Sequence, residues 1–326
     1  MQKVFKINGV VQHYSWGGYE YIPSLLGIEN KEQKPFAEYW LGAHPNHPSI
    51  ITGSSKNVHE YLQENSEALL GKRVAQQFSS LPYLFKVLDV RQMLSIQVHP
   101  NKVSAEKGFD EENKKDIPVS AANRNYKDKN HKPEMMIALG DFWLLHGFKS
   151  EAAIIETIDS IPEFSFLRNV FNTRGYKGLY EAVMNLPQEK VDEILAPVMN
   201  RILPDFESGA LDKNNPNYWA AKAVINFCKN ESYDRGIFSI YFFNLLHLKK
   251  GEGIFQPAGL PHAYLEGQNI EVMANSDNVL RAGLTDKHID VKELNKHVVF
   301  EETIPNIYSP SGATVEKFET PASEFA

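Results

Sequence analysis

Three well-separated segments of this chain carry side chains able to hold a metal ion. In Leu94-Ser-Ile-Gln-Val-His-Pro-Asn-Lys102, the apolar Leu94, Ile96 and Val98 alternate with Ser95, Gln97 and His99. Alternate residues of a strand share a face, so this spacing predicts an apolar face toward a core and an opposite face bearing hydroxyl, amide and imidazole. Pro100 stops the ladder because it has no N–H to donate, and Asn101 suits a turn. In the segment that begins His131-Lys-Pro-Glu-Met-Met136, Lys132, Glu134 and Met136 share one strand parity, and Pro133 is acceptable at a strand entrance. In Pro257-Ala-Gly-Leu-Pro-His-Ala-Tyr264, a proline-flanked loop presents His262 just before Tyr264. Gln97, His99, Glu134 and His262 make a mixed nitrogen and oxygen set that suits zinc, or manganese or cobalt, with water or a substrate oxygen completing the shell. The 35 residues from His99 to Glu134 and the 128 from Glu134 to His262 match no local metal motif. Spacing alone therefore leaves a satisfied turn histidine and a solvated strand glutamate as open readings.

Further charged groups fall on predicted strands. Asn269, Glu271 and Met273 share a face, and Arg281 precedes a turn glycine in Asp277-Asn-Val-Leu-Arg-Ala-Gly-Leu284. Arg281 and Lys132 are the cations expected on a substrate anion or a developing oxyanion, with a surface salt bridge as the alternative for Arg281. Lys86 interrupts an apolar strand; if buried it would have a depressed pKa and could shuttle protons, and an outward placement stays open.

The elements that must position these groups change character along the chain. Short strands are expected over Lys3–Ile7, Val10–Tyr14, Tyr83–Val90, Leu94–His99 and Glu134–Leu139, with short helices near Val58–Leu62 and Val103–Phe109. Near Ser150 the period becomes helical, as at Ile154, Ile155 and Ile158 and at Leu179, Val183 and Leu186. Pro187, Pro197 and Pro204 are expected to divide this region into short helices, followed by one through Tyr218–Lys229. Strand texture returns at Gly236-Ile-Phe-Ser-Ile-Tyr-Phe-Phe243 and continues through Gln268–Met273 and Asn278–Ala282. This predicts a mainly β protein with a helical insertion, divided as 1–149, 150–235 and 236–326.

The 326 residues allow a sizeable core, and the formal net charge of −7 leaves no basic footprint for nucleic acid or an anionic membrane surface. The single cysteine, Cys228, excludes a disulfide within the chain and predicts a cytoplasmic protein. The N-terminus lacks the apolar core of a signal peptide, and no apolar run approaches the roughly 20 residues of a membrane span.

The segments from Leu81-Pro-Tyr-Leu-Phe-Lys-Val-Leu-Asp89, Leu94 to Lys102, His131-Lys-Pro-Glu-Met135, Gln256-Pro-Ala-Gly-Leu-Pro-His-Ala-Tyr264 and Asn278-Val-Leu-Arg-Ala-Gly-Leu-Thr285 together closely resemble the type I mannose-6-phosphate isomerases. Tyr14-Ser-Trp-Gly17 and Ala37-Glu-Tyr-Trp-Leu-Gly-Ala-His-Pro-Asn46 fit as well, in family order. The resemblance implies a cupin (jelly-roll β-barrel) core with a helical domain between its two halves. It also implies a zinc-dependent aldose–ketose isomerase acting on a sugar phosphate, with one Zn2+ per chain, working as a monomer. The family's metal ligands fall on Gln97, His99, Glu134 and His262, and its active-site arginine on Arg281. Lys132, His131, Glu271, Tyr264 and Asp277 match positions around its pocket, with Ser95 and Lys86 as further substrate-binding candidates. Lys132 or Glu271 is expected to move the proton between C1 and C2, with His131 assisting ring opening. Family members continue some tens of residues past Pro-Ala-Ser-Glu-Phe325, so a shortened second β domain is expected here, and a non-catalytic metal-binding cupin is the rival reading.

Overall fold

The computed structural model describes residues 4–228 and 232–325. Its centre is the strand Tyr83–Val90, which pairs on one side with Glu38–Gly42 and on the other with the second half of the long strand His262–Ala274. Val10–Gln12 extends the sheet beyond Glu38–Gly42, while Glu134–Ala138, Gly253–Gln256 and Ile307–Tyr308 extend it beyond the long strand. The first half of the long strand leaves these neighbours. It pairs instead with Phe142–Phe148 and, through His262, with Gln97. The change of partner falls at a register shift between Tyr264 and Glu266. Gly267 follows with φ 126°, where a Cβ would lie 2.5 Å from the Asp141 carbonyl, so only glycine fits the bend. One strand thus serves both walls of a jelly-roll barrel of the cupin type.

Phe142–Phe148 is buried throughout. Phe142 and Leu144 fill the barrel, whereas Trp143 and Leu145 face the helices. A strand covered on both faces reads as a continuous apolar run rather than an alternation, which is why the period of the sequence does not mark it. The helical layer begins where the period changes. Ser150 caps Glu151–Ser160 by accepting from the Ala153 N–H, and Leu167–Met184, Gln188–Glu207 and Pro216–Phe227 follow. Leu179, Leu195 and Trp219 of these helices share one core with Ile96, Val98 and Trp143 of the sheet. The predicted helices near Val58 and Val103 are present as Val58–Glu64 and Lys102–Lys114, with Asn57 and Asn101 as their caps.

Several expectations are corrected. Gly236–Phe242 is a helix, and strand begins only at Phe243. All seven residues of that helix are buried, so its all-round apolar sequence carries no face from which a period could be read. Pro197 and Pro204 lie inside the single helix Gln188–Glu207, where the buried Leu195, Val198, Met199 and Ile202 outweigh the lost backbone hydrogen bonds; only Pro187 marks a boundary. The helix expected through Lys229 ends at Phe227, with Lys229 outside the described residues. At the N-terminus Ile7–Asn8 pairs with Ile50–Ile51, while Lys3 lies outside the described residues. Of Leu94–His99 only Gln97–Val98 makes regular ladder, and Leu94 lines the central cleft rather than only the core. Glu38–Gly42 and the helices Ser66–Leu70 and Lys72–Phe78 were not anticipated. Beyond Tyr308 the described residues form no further strand, and the chain runs back so that Glu324 meets His131.

A candidate metal centre at the floor of a cleft

Cross-strand register brings the three sequence segments together. His262 stands opposite Gln97 on one side of its strand, and Arg281 stands opposite Gln97 on the other. Directly opposed residues of an antiparallel pair share a face, so Gln97 is flanked by an imidazole and a guanidinium. Glu134 opens its strand opposite Met273 and Gln256. His99, Glu134 and His262 are all buried, with one ligand atom of each within 4.8 Å of the others.

Backbone carbonyls set both imidazole tautomers. His99 Nδ1 donates to the Asn278 carbonyl at 2.8 Å, and His262 Nδ1 donates to the Leu260 carbonyl at 2.9 Å. Each neutral ring therefore presents its Nε2 lone pair, at 3.4 Å (His99) and 3.3 Å (His262), to the two oxygens of Glu134. His99 Nε2 is buried without a hydrogen-bond partner. Two lone pairs facing a carboxylate repel unless a cation sits among them, and the donor set fits zinc. Burial, joined by the Lys132 charge, pushes His99 down to about 4, so the ring stays neutral and ready to ligate near pH 7. Burial acts against ionisation of Glu134, but with the Lys132 ammonium as the largest opposing influence the carboxyl is held well below its ordinary range.

The site opens into a cleft of about 510 Å³ lined by Ser95, Gln97, Lys86, Lys132, Asp277 and Arg281. A smaller inner space continues from it between His262, Tyr264, Glu134 and Glu271. Lys86 and Lys132 border both. The Tyr264 hydroxyl donates to Glu271 at 2.8 Å and accepts from Gln256 at 3.1 Å. Burial and the Glu134 charge raise Glu271, against the opposing pull of Lys86 and Lys132. Lys86 is buried as one sequence reading allowed, but its pKa is not depressed. Burial would lower it, yet Glu38 at 3.4 Å and Glu271 at 3.5 Å outweigh burial and hold the ammonium charged.

His131 stands apart from the other candidates. It does not border the cleft, and its ring pairs with Glu324 at 2.5 Å. Sequence reasoning missed Glu38 and Trp40, which line the cleft from Glu38–Gly42, although their alternation with Tyr39 and Leu41 was a usable signal. It also missed the opposite wall, made by Asn226 and Phe227 at the end of a helix and by Leu284, Thr285, Asp286 and Lys287 in a loop. Loop residues have no period, so only proximity to Arg281 marked them. Burial lowers the proton affinity of both Lys127 and Lys287, and the Arg281 charge nearby lowers each of them further. Among the described residues neither Arg281 nor Lys287 forms a close ion pair, and the Asp286 carboxylate beside Lys287 only partly offsets the two cations, which leaves this end of the cleft cationic.

Comparison with known proteins points one way. Residues 4–151 match the model of the phosphomannose isomerase type I catalytic domain. The chain is 40% identical over 334 residues to mannose-6-phosphate isomerase of Salmonella typhimurium, covering 98% of this chain and 82% of that protein. It is 34% identical over 357 residues to mannose-6-phosphate isomerase of Bos taurus, covering 99% and 81%. A solved structure of the Salmonella typhimurium mannose 6-phosphate isomerase, bound to its substrate fructose 6-phosphate and to zinc, matches with a TM-score of 0.84 at 36% identity, covering 99% of this chain and 82% of that one.

Proposed function

This chain belongs to the type I phosphomannose isomerase family, and from that premise we infer a zinc-dependent mannose-6-phosphate isomerase. It interconverts mannose 6-phosphate and fructose 6-phosphate through a cis-enediol(ate). The convergence of two imidazole lone pairs on a buried carboxylate at the floor of a polar cleft carries this reading. Gln97, His99, Glu134 and His262 would hold one zinc ion, which supplies Lewis-acid polarisation of substrate oxygens when bound.

The chain's own groups divide the remaining work. Lys132 borders both the cleft and the inner space, and Glu271 borders the inner space with a raised proton affinity. We assign the C1–C2 proton transfer to this pair, since a general base must lie within hydrogen-bond reach of the proton it moves. Arg281, beside Gln97, is placed to stabilise the developing enediolate charge. Lys86, fixed between Glu38 and Glu271, stays charged and orients substrate hydroxyls. Asp277 is held below its ordinary carboxyl range, first by the His44 ring, which favours an acceptor for sugar hydroxyls at the cleft mouth. The substrate phosphate is assigned to Lys287 at the cationic end of the cleft, with Ser95 also in the lining. His131 receives no substrate contact. A monomer in the cytoplasm is the working state we propose, in keeping with a chain that carries one cysteine.

Turnover of mannose 6-phosphate in a coupled assay, before and after chelation and zinc add-back, tests this reading. Loss on chelation and recovery on adding zinc is expected. A folded, zinc-loaded protein without turnover would establish a non-catalytic metal-binding cupin instead.

A further inference from the structure

The loop that closes the cationic end of the cleft is held in an uncommon conformation by one side chain. Leu284 has φ 53° and is fully buried. A non-glycine residue persists in the left-handed region only where its surroundings over-determine it. Asp234 supplies that determination. Its Oδ1 accepts from the Leu284 N–H at 2.7 Å and the Gly236 N–H at 2.6 Å, and its Oδ2 accepts from the Thr285 N–H at 3.1 Å. One carboxylate thus ties the start of the helix Gly236–Phe242 to two successive amides of the loop.

Backbone packing reinforces the tie. A Cβ on Gly236 would lie 2.6 Å from Leu284 N, and one on Gly283, at φ 126°, would lie 2.4 Å from Gly236 Cα. The two glycines therefore pack backbone to backbone. On its other side the loop continues the ladder of the metal-site segment, since the Ile96 N–H donates to the Gly283 carbonyl at 3.0 Å and the Ala282 N–H to the Ile96 carbonyl at 2.9 Å. Past the Leu284 anchor, Thr285, Asp286 and Lys287 line the cleft, with Arg281 just before the loop.

We propose that Asp234, clamped on Gly236, is a positioning residue for substrate recognition: it holds the Leu284–Lys287 loop so that Lys287 meets the phosphate of the sugar. The proposal rests on the phosphate assignment made above. Asp234 does not line the cleft and has no part in proton transfer, so its loss acts on the binding of the anionic group and leaves the metal centre intact.

The test measures kcat, KM for mannose 6-phosphate, the inhibition constant of inorganic phosphate and zinc content. The variants are Asp234→Ala, Asp234→Asn, Gly236→Ala and Lys287→Ala. Asp234→Ala is expected to raise KM and the phosphate inhibition constant together by about tenfold, the scale of misplacing one charge-assisted contact, with kcat within about twofold and zinc retained. Asp234→Asn, which keeps one acceptor oxygen, should fall between, and Gly236→Ala should displace the loop without removing charge. If Asp234→Ala does not fold, these two milder variants read the same constants. KM and phosphate inhibition at wild-type values in folded Asp234 and Gly236 variants, with both raised in Lys287→Ala, would overturn the positioning role and leave the phosphate assignment standing. Wild-type constants in Lys287→Ala would overturn the phosphate assignment and the positioning role with it. A fall in kcat and zinc with KM unchanged would show a merely structural anchor.

Discussion

Lys132 Nζ lies 2.7 Å from Glu134 Oε1, so the cation that reaches the cleft is bonded to the carboxylate that two histidines also face. A charge placed there interacts with both the substrate space and the metal site, and its removal should be felt as chemistry rather than as packing.

Replacing Lys132 by Met and Glu271 by Gln separates the two candidate bases. Each variant is expected to lower kcat by about 100-fold or more, the usual scale of a lost general acid or base. Single-turnover rates with zinc content measured in parallel check this. Near-wild-type turnover in Glu271→Gln removes the carboxylate from the proton transfer, and the same result in Lys132→Met removes the lysine.

Asn278 orients His99 through its carbonyl, while its side chain accepts from the Lys127 and Asp128 N–H groups at 2.7 and 3.2 Å. Asn278→Ala frees the segment that carries that carbonyl. Zinc affinity should fall by about 10–100-fold, as for other groups that orient a metal ligand. Competition against a chelator of known affinity measures it, and unchanged affinity would show that the backbone holds its place unaided.

Tyr264→Phe leaves the buried Gln256 amide and the Glu271 carboxylate each short of a partner. The expected loss is about 1–3 kcal/mol of stability, with a fall in turnover as Glu271 loses its fixed orientation. Urea unfolding of the two proteins reads the first quantity. Equal midpoints would mean that water replaces the phenol.

His146 stands opposite His262 across the sheet, and burial pushes it down to about 3. Its folded value lies below the unfolded value of roughly 6.5, so the unfolded chain takes up the proton first as pH falls. The associated stability is present above about pH 6.5 and is lost toward pH 3, at about 1.4 kcal/mol per unit. Metal-stripped protein should therefore lose stability more steeply between about pH 6.5 and 4 than its His146→Leu variant. Parallel slopes in denaturant titrations at several pH values would refute this.

Much of the site was legible in the order of residues. Ser95 and Gln97 line the cleft while Ile96 and Val98 enter the core, as their alternation requires. Glu134 and Met136 both point into the barrel, as their shared parity requires. Ser150 caps the helix Glu151–Ser160, which opens the helical layer at the place where the period changes. The helix Gly236–Phe242 was illegible because burial on every side erases the contrast between faces. The loop Leu284–Lys287 was illegible because its conformation is imposed by Asp234, some fifty residues earlier, and not by its own propensities.

The sequence alone determined which donor atoms were available and which neighbours share a strand face, since both follow from side-chain chemistry and backbone geometry over a few residues. Tertiary structure decided the rest. The tautomer of His99 is set by a carbonyl 179 residues away, Lys86 keeps its proton because two carboxylates from other strands surround it, and His131 is drawn off to Glu324. Hydrogen bonds and charges act through space, and in a low-dielectric interior their strength depends on which distant segments the fold brings within a few ångströms.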